Sequence, residues 1–255
     1  MKKKPVIHWA HIHISNLLIA MDPATNNNFN VPLAIIVAGV LVAGAIMYVG
    51  FGGSPAQERN TAAVENVAPS AELTISADDH ILGNPDAPVI LVEFSDLECP
   101  FCKTFHQTMK QVMEEYGGDG KVAWIYRHFP IDSIHPKARK EAAAAECAAA
   151  VGGAVKFWEY TDKIFEITPS NNGLDLALLP KTAVDIGLDQ KAFEACLADN
   201  TYNDLFEKSI AEGVAAGANG TPFTILITKN GSATPINGAQ PFETVKALID
   251  KALAN

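Results

Sequence analysis

Apolar residues follow two different patterns along the chain, with a polar interval between them. From Val31 to Phe51 they are continuous, 21 residues without a charge. At about 1.5 Å per residue such a helix crosses the roughly 30 Å of bilayer hydrocarbon. Pro32 stands at its start, where a missing N–H costs nothing, and Tyr48 falls near its far end, at interfacial depth. Gly39 and Gly44 are five apart, so no GxxxG dimerisation pattern is present there. A secretory signal has a shorter apolar stretch closer to the N-terminus, and Ser54-Pro55-Ala56 is a poor cleavage site because of its proline. The pattern predicts an uncleaved transmembrane anchor over 31–51. Residues 1–30 read as a polar tail, which Lys2-Lys3-Lys4 place in the cytoplasm. Residues 52–72 have low hydrophobicity and no periodicity, and predict a flexible linker. The remainder, 73–255, is expected to be one domain on the far side of the membrane.

Within that domain the pattern becomes periodic. Val89–Ser95 is a β-branched apolar run of strand length, expected to be a buried central strand. From Cys99 to Tyr116, Phe105, Met109, Val112, Met113 and Tyr116 recur at helical spacing until Gly117-Gly118. Lys121–Phe129 predicts a second strand, stopped by Pro130, which makes a βαβ unit. A long helical section follows. It comprises Pro136–Val151, a helix marked by Phe157, Trp158, Ile164 and Phe165, then Leu174–Ile186, Gln190–Ala198 and Tyr202–Ala216. Strands return at Pro222–Thr228 and Ala233–Ile236 around the hairpin signal Asn230-Gly231, and Phe242–Leu253 is a closing helix. Asp78–His80 and Gly83–Pro88 read as turn chemistry. The order β-α-β, helical block, β-β-α predicts an α/β, thioredoxin-like fold with a helical insertion at about 133–217.

Charge and cysteine content narrow the chemistry. The net charge is −10 and the three N-terminal lysines are the only basic tract, so nucleic acid is not an expected partner. Four cysteines occur, of which only Cys99 and Cys102 are close together. A zinc site would need a second close pair or nearby histidine ligands, so no metal is expected, and none of the predicted chemistry needs a cofactor. His8, His11 and His13 sit in the polar tail without a further ligand, and a start at Met21 would omit them. The Cys99-Pro100-Phe101-Cys102 pair lies where a strand runs into a helix. An ordinary thiol is mostly protonated at neutral pH, and a helix N-terminus stabilises the reactive thiolate. Pro100 suits the first helical turn. Cys99 is therefore the expected exposed attacking thiol and Cys102 the covered resolving one. A static disulfide or half a zinc site are the blander readings. Cys147 and Cys196 each lie in a predicted helix of the insertion, either bridged, as an even count in an exported protein favours, or buried as free thiols.

Phe94–Cys102, Tyr126–Pro130, Ile134-His135-Pro136 and Gly220-Thr221-Pro222 together resemble the DsbA-like branch of the thioredoxin superfamily. The resemblance covers about Asp78 to Ala254. It implies that Pro222 is a cis-proline facing the cysteines and that the backbone at Thr221 holds an extended substrate near Cys99. It also implies a buried acid at Glu93, six residues before Cys99, which either relays protons during exchange or pairs with a cation such as Arg127. Glu98 reads as an exposed acid beside Cys99. Oxidising members carry histidine where this chain has Phe101, and Thr221 resembles isomerase and reductase relatives. The expected protein is a membrane-tethered thiol–disulfide oxidoreductase, with net oxidation ahead of reduction or isomerisation. Its partners would be unfolded or reduced exported proteins and an unidentified redox-recycling protein. The alternative from another class is an anchored peptide-binding chaperone whose CxxC is a staple.

Overall fold

The computed structural model describes residues 73–76, 78–199 and 201–254. The expected tail, anchor and linker, residues 1–72, lie outside them. Among the described residues no helix is long and apolar enough to cross a membrane.

Five strands form one mixed sheet in the order β1-β3-β2-β4-β5. They are β1 (His80–Gly83), β2 (Val89–Ser95), β3 (Val122–His128), β4 (Phe223–Thr228) and β5 (Ala233–Asn237). β2 and β3 are parallel, with Glu93 opposite Tyr126 and Ser95 opposite His128. β4 runs antiparallel to β2, and β1 antiparallel to β3. All seven residues of β3 are buried, as a strand covered on both faces requires. The edge strand β1 is a correction to the expected turn at His80. Its four residues are too few to show a period, and the strand exists because Ala123–Tyr126 supply its ladder partners.

The helices are α1 (Pro100–Val112), which continues into a π-helical turn at Met113–Gly117, α2 (Ala138–Gly152), α3 (Ala154–Ile167), α4 (Leu178–Asp185), α5 (Gln190–Asp199), α6 (Asn203–Ala215) and α7 (Phe242–Leu253). Several of these begin later than the sequence pattern suggests. Cys99 is the N-cap of α1, extended at φ −78° and ψ 123°, and not its first residue. The fourth helix starts at Leu178, not at Leu174. Strand alternation divides the core. Leu91, Trp124, Tyr126 and Leu226 face a large layer with Phe105, Met109, Phe157 and Phe165. Val92, Phe94, Ile125, Phe223 and Ile225 face a smaller layer with Phe129 and Ala216. There α6 lies so close to the sheet that a Cβ at Gly213 would meet Phe129 at 2.8 Å and Phe94 at 3.0 Å.

The insertion is held to the sheet by polar contacts as well as packing. Glu146 of α2 takes His80 of β1 at 2.9 and 3.0 Å and lies 3.4 Å from His128 of β3. Its neighbour Cys147 is bonded to Cys196 of α5, with Cα atoms 5.7 Å apart.

Candidate active site

The site forms where β2 ends. The chain turns through Asp96-Leu97-Glu98 and enters α1 at Cys99-Pro100. Asp96 fixes that turn. Its carboxylate accepts the Glu98 N–H at 2.8 Å, the Ile131 N–H at 2.8 Å and His135 Nδ1 at 2.9 Å. One buried acid thereby ties the entry of the helix to the loop after β3. Neither Asp96 nor His135 stood out in the sequence as a positioning pair. The one local signal was an aspartate two residues before the next free N–H, the spacing of an Asx turn.

Cys99 and Cys102 are free thiols. Pro100 fills the first position of α1, so the orphan donors at this end are Phe101 N–H and Cys102 N–H, both directed at Cys99. The Cys99 thiol is held at about 6, first by the hydrogen bond from Cys102 and then by the Cys102 backbone N–H, Thr221 and the Phe101 N–H, against the opposing effect of burial. Burial pushes the Cys102 thiol well up, and the neighbouring Cys99 and Glu93 push it further. Cys102 Sγ accepts the Asp96 N–H at 3.4 Å. The two sulfurs thus ionise far apart, one as nucleophile and one as held-back thiol. Cys99 is nevertheless 5% exposed, so the expectation of an exposed nucleophile is corrected: only an edge of its side chain is open. The residue that projects is Phe101, 64% exposed.

Thr221 and Pro222 lie opposite, just before β4. The Thr221–Pro222 peptide is cis. Cys99 Sγ donates to the Thr221 carbonyl at 3.5 Å. The chain thus brings together Cys99, Cys102, Thr221 and Pro222 from segments more than a hundred residues apart. Cys147 and Cys196 are not part of this group.

Glu93 is completely buried below the thiols. Trp124 Nε1 donates to its Oε2 at 2.9 Å. Burial raises its carboxyl to about 7, with Ser95 and Trp124 pulling it partly back. The cation suggested for it, Arg127, is elsewhere. Arg127 pairs with Asp79 at 2.7 Å and Glu212 at 2.8 Å. The reason is strand parity: Tyr126 is the residue opposite Glu93, so Arg127 projects to the other face. Glu98 is also corrected. It is fully buried, not solvated, and its neighbour Glu141 is pushed up to about 10 by burial and by Glu98. Among the described residues no group of three or more His, Cys, Asp or Glu is arranged to hold a metal ion.

Comparison with known proteins agrees with this geometry. Residues 76–251 match the family model described as Thioredoxin. The fold resembles alpha-DsbA1 of Wolbachia pipientis at a TM-score of 0.62 and 25% identity, over 71% of this chain and 94% of that one. It resembles DsbA2 of Pseudomonas aeruginosa at a TM-score of 0.57 and 27% identity, over 71% of this chain and 96% of that one. A curated relative, "Na(+)/H(+) antiporter NhaA 1" of Mycolicibacterium gilvum (strain PYR-GCK), is 37% identical over 116 residues, or 46% of this chain. The chain spans only 18% of that relative's length. The family match over most of the chain places the protein in the thioredoxin family, with a DsbA-like fold around a thiol pair at a helix N-terminus.

Proposed function

We propose that this protein is a membrane-tethered oxidase that places disulfides in exported proteins through Cys99 and Cys102. The observation that carries the reading is the position of Cys99 Sγ, at the N-terminus of α1 and 3.5 Å from the Thr221 carbonyl. That backbone is an edge on which an extended client segment can lie, with its own cysteine brought to Cys99. A client thiolate attacks Cys99 Sγ of the oxidised pair and releases Cys102 as thiolate, which takes a proton from Glu93. A second client thiolate then attacks the client sulfur of the mixed disulfide, leaving Cys99 as thiolate and the client oxidised. Cys99 is the substrate-facing sulfur, Cys102 the resolving one, Glu93 the proton relay, and Thr221 with Pro222 the client platform.

The low Cys99 pKa supports the oxidising direction, because a stabilised thiolate favours the reduced pair and drives oxidation of the client. Thr221 before the proline, and Phe101 in place of histidine, favour a second reading as reductase or isomerase. An apolar run long enough for one span, 31–51, supports tethering with the domain outside the cytoplasm, and a redox-recycling partner there would reoxidise Cys99 and Cys102. The match to a segment of an antiporter is consistent with a membrane setting and extends no transport activity to this chain.

The deciding experiment is the potential of the Cys99–Cys102 couple, set against glutathione in the full-length protein. A value near about −120 mV supports an oxidase, and one near about −270 mV overturns that direction in favour of a reductase.

A further inference from the structure

A buried acid that relays protons needs a route to water, and Glu93 has none of its own. Its side chain is completely buried. The groups acting on it, Ser95, Cys99, Cys102, Trp124 and Tyr126, are themselves buried. Glu93 Oε1 has no protein partner.

His106 lies four residues after Cys102, on the buried stripe of α1. Its Nε2 is 2.6 Å from Asp162 Oδ1 on α3. Asp162 is 40% exposed and also holds Lys110 Nζ at 2.9 Å. An Nε2–H donated to a carboxylate leaves Nδ1 as the bare acceptor, and Nδ1 has no protein partner. The same indole touches both residues. Trp124 gives its N–H to Glu93, and its ring centroid is 5.1 Å from that of His106. Phe165 closes the other side of the imidazole at 4.6 Å. Both unpartnered atoms, Glu93 Oε1 and His106 Nδ1, belong to side chains that meet at the Trp124 indole. Asp162, Lys110 and Trp124 also line an open groove of about 570 Å³, with Leu82, Met113 and Trp158, so the path ends in solvent.

We propose that His106 and Asp162 form the proton outlet of Glu93. The inference rests on the reading of Glu93 as the relay. When a mixed disulfide is resolved, the Cys102 thiol gives its proton to the Glu93 carboxylate. The Cys102 thiolate attacks Cys99 Sγ, the Cys99–Cys102 bond forms, and the client leaves as thiolate with the electron pair of the broken bond. The Glu93 proton then passes to His106 Nδ1 while the Nε2 proton goes to Asp162 and on to water. Client oxidation runs the path in reverse and reloads Glu93. Burial keeps the imidazole below its ordinary value, against the opposing pull of Asp162, and Lys110 acts in the same direction as burial. A neutral ring with one N–H and one bare nitrogen is the form such a transfer needs. His106 acts through Glu93.

The test measures resolution of a Cys99–glutathione mixed disulfide in the full-length protein, by rapid acid quench between pH 5 and pH 9. His106→Gln is expected to slow resolution about tenfold near pH 7, and Asp162→Asn to slow it in the same direction. Alkylation of Cys99 by iodoacetamide should stay within about twofold of wild type, which a general loss of structure would not allow. The double variant Glu93→Gln/His106→Gln should be no slower than Glu93→Gln alone. If Glu93→Gln is slow while His106→Gln and Asp162→Asn keep the wild-type rate, the outlet is wrong and the relay stands. If Glu93→Gln itself resolves at the wild-type rate, the relay reading falls and the outlet with it. A double variant slowed by the product of the two single effects also overturns the outlet. If His106→Gln does not fold, the half-exposed Asp162→Asn carries the same comparison.

Discussion

The chain holds two cysteine pairs, and they differ in every respect except the residue. Cys99 and Cys102 are three apart, unbonded, and set among a helix N-terminus, a carbonyl edge and a buried acid. Cys147 and Cys196 are 49 apart and bonded to each other. Cys147 lies among Ala143, Ala144, Ala145 and Ala148, all buried. The lesson is that thiol chemistry is set by the dipoles and charges around sulfur. Only the second pair joins two helices: it closes α2 onto α5 in the insertion, beside the Glu146 contacts to β1 and β3.

The widest separation between the pairs should appear in activity. Cys99→Ser is expected to lower insulin reduction by roughly three orders of magnitude or more while leaving the thermal midpoint in place. Replacing Cys147 and Cys196 together by alanine should leave turnover per folded molecule within about twofold. Retained activity in Cys99→Ser would make the CxxC a staple and erase the distinction. Stability should show the reverse order. The double alanine variant is expected to lose about 4 kcal/mol in denaturant titration, because a loop of 49 residues is released in the unfolded chain. No loss would mean that packing alone holds α2 to α5.

The acid beneath the active pair gives a smaller, pH-dependent effect. Glu93 ionises at about 7 in the folded chain, against an ordinary value of 4.5. Between those values the unfolded chain sheds the proton and the folded chain keeps it. Stability therefore falls as pH rises through this window, and the full penalty is present above pH 7. Glu93→Gln should raise the stability of the reduced protein by about 3 kcal/mol at pH 8 and by almost nothing at pH 4. Equal gains at both pH values would show that the carboxyl carries no desolvation penalty. The smallest effect is expected at Phe101. Phe101→His should lower the Cys99 pKa below its value of about 6 by up to about one unit, or roughly 1.4 kcal/mol, read from the ultraviolet absorbance of the thiolate. No change, or a rise, would show that a side chain at position 101 does not stabilise the thiolate.

The sequence alone determined what local chemistry dictates. A continuous apolar, β-branched run of strand length made β2 readable, a similar run stopped by Pro130 made β3 readable, and helical spacing from Phe105 to Tyr116 made α1 readable. Cys-Pro at a strand end was enough to name the thiol pair, because a helix N-terminus is a property of neighbouring residues. Contacts between distant residues were settled only by the tertiary structure. Glu98 read as a solvated acid beside Cys99, yet it is buried against Glu141, 43 positions on. Arg127 looked like a partner for Glu93, yet parallel register turned it toward Asp79 and Glu212. β1 had no signal of its own and exists through β3. The carbonyl of Thr221 reaches Cys99 across 122 positions of chain. In each case the deciding quantity is which side of a strand a residue faces, or which helix covers it, and a local pattern holds neither.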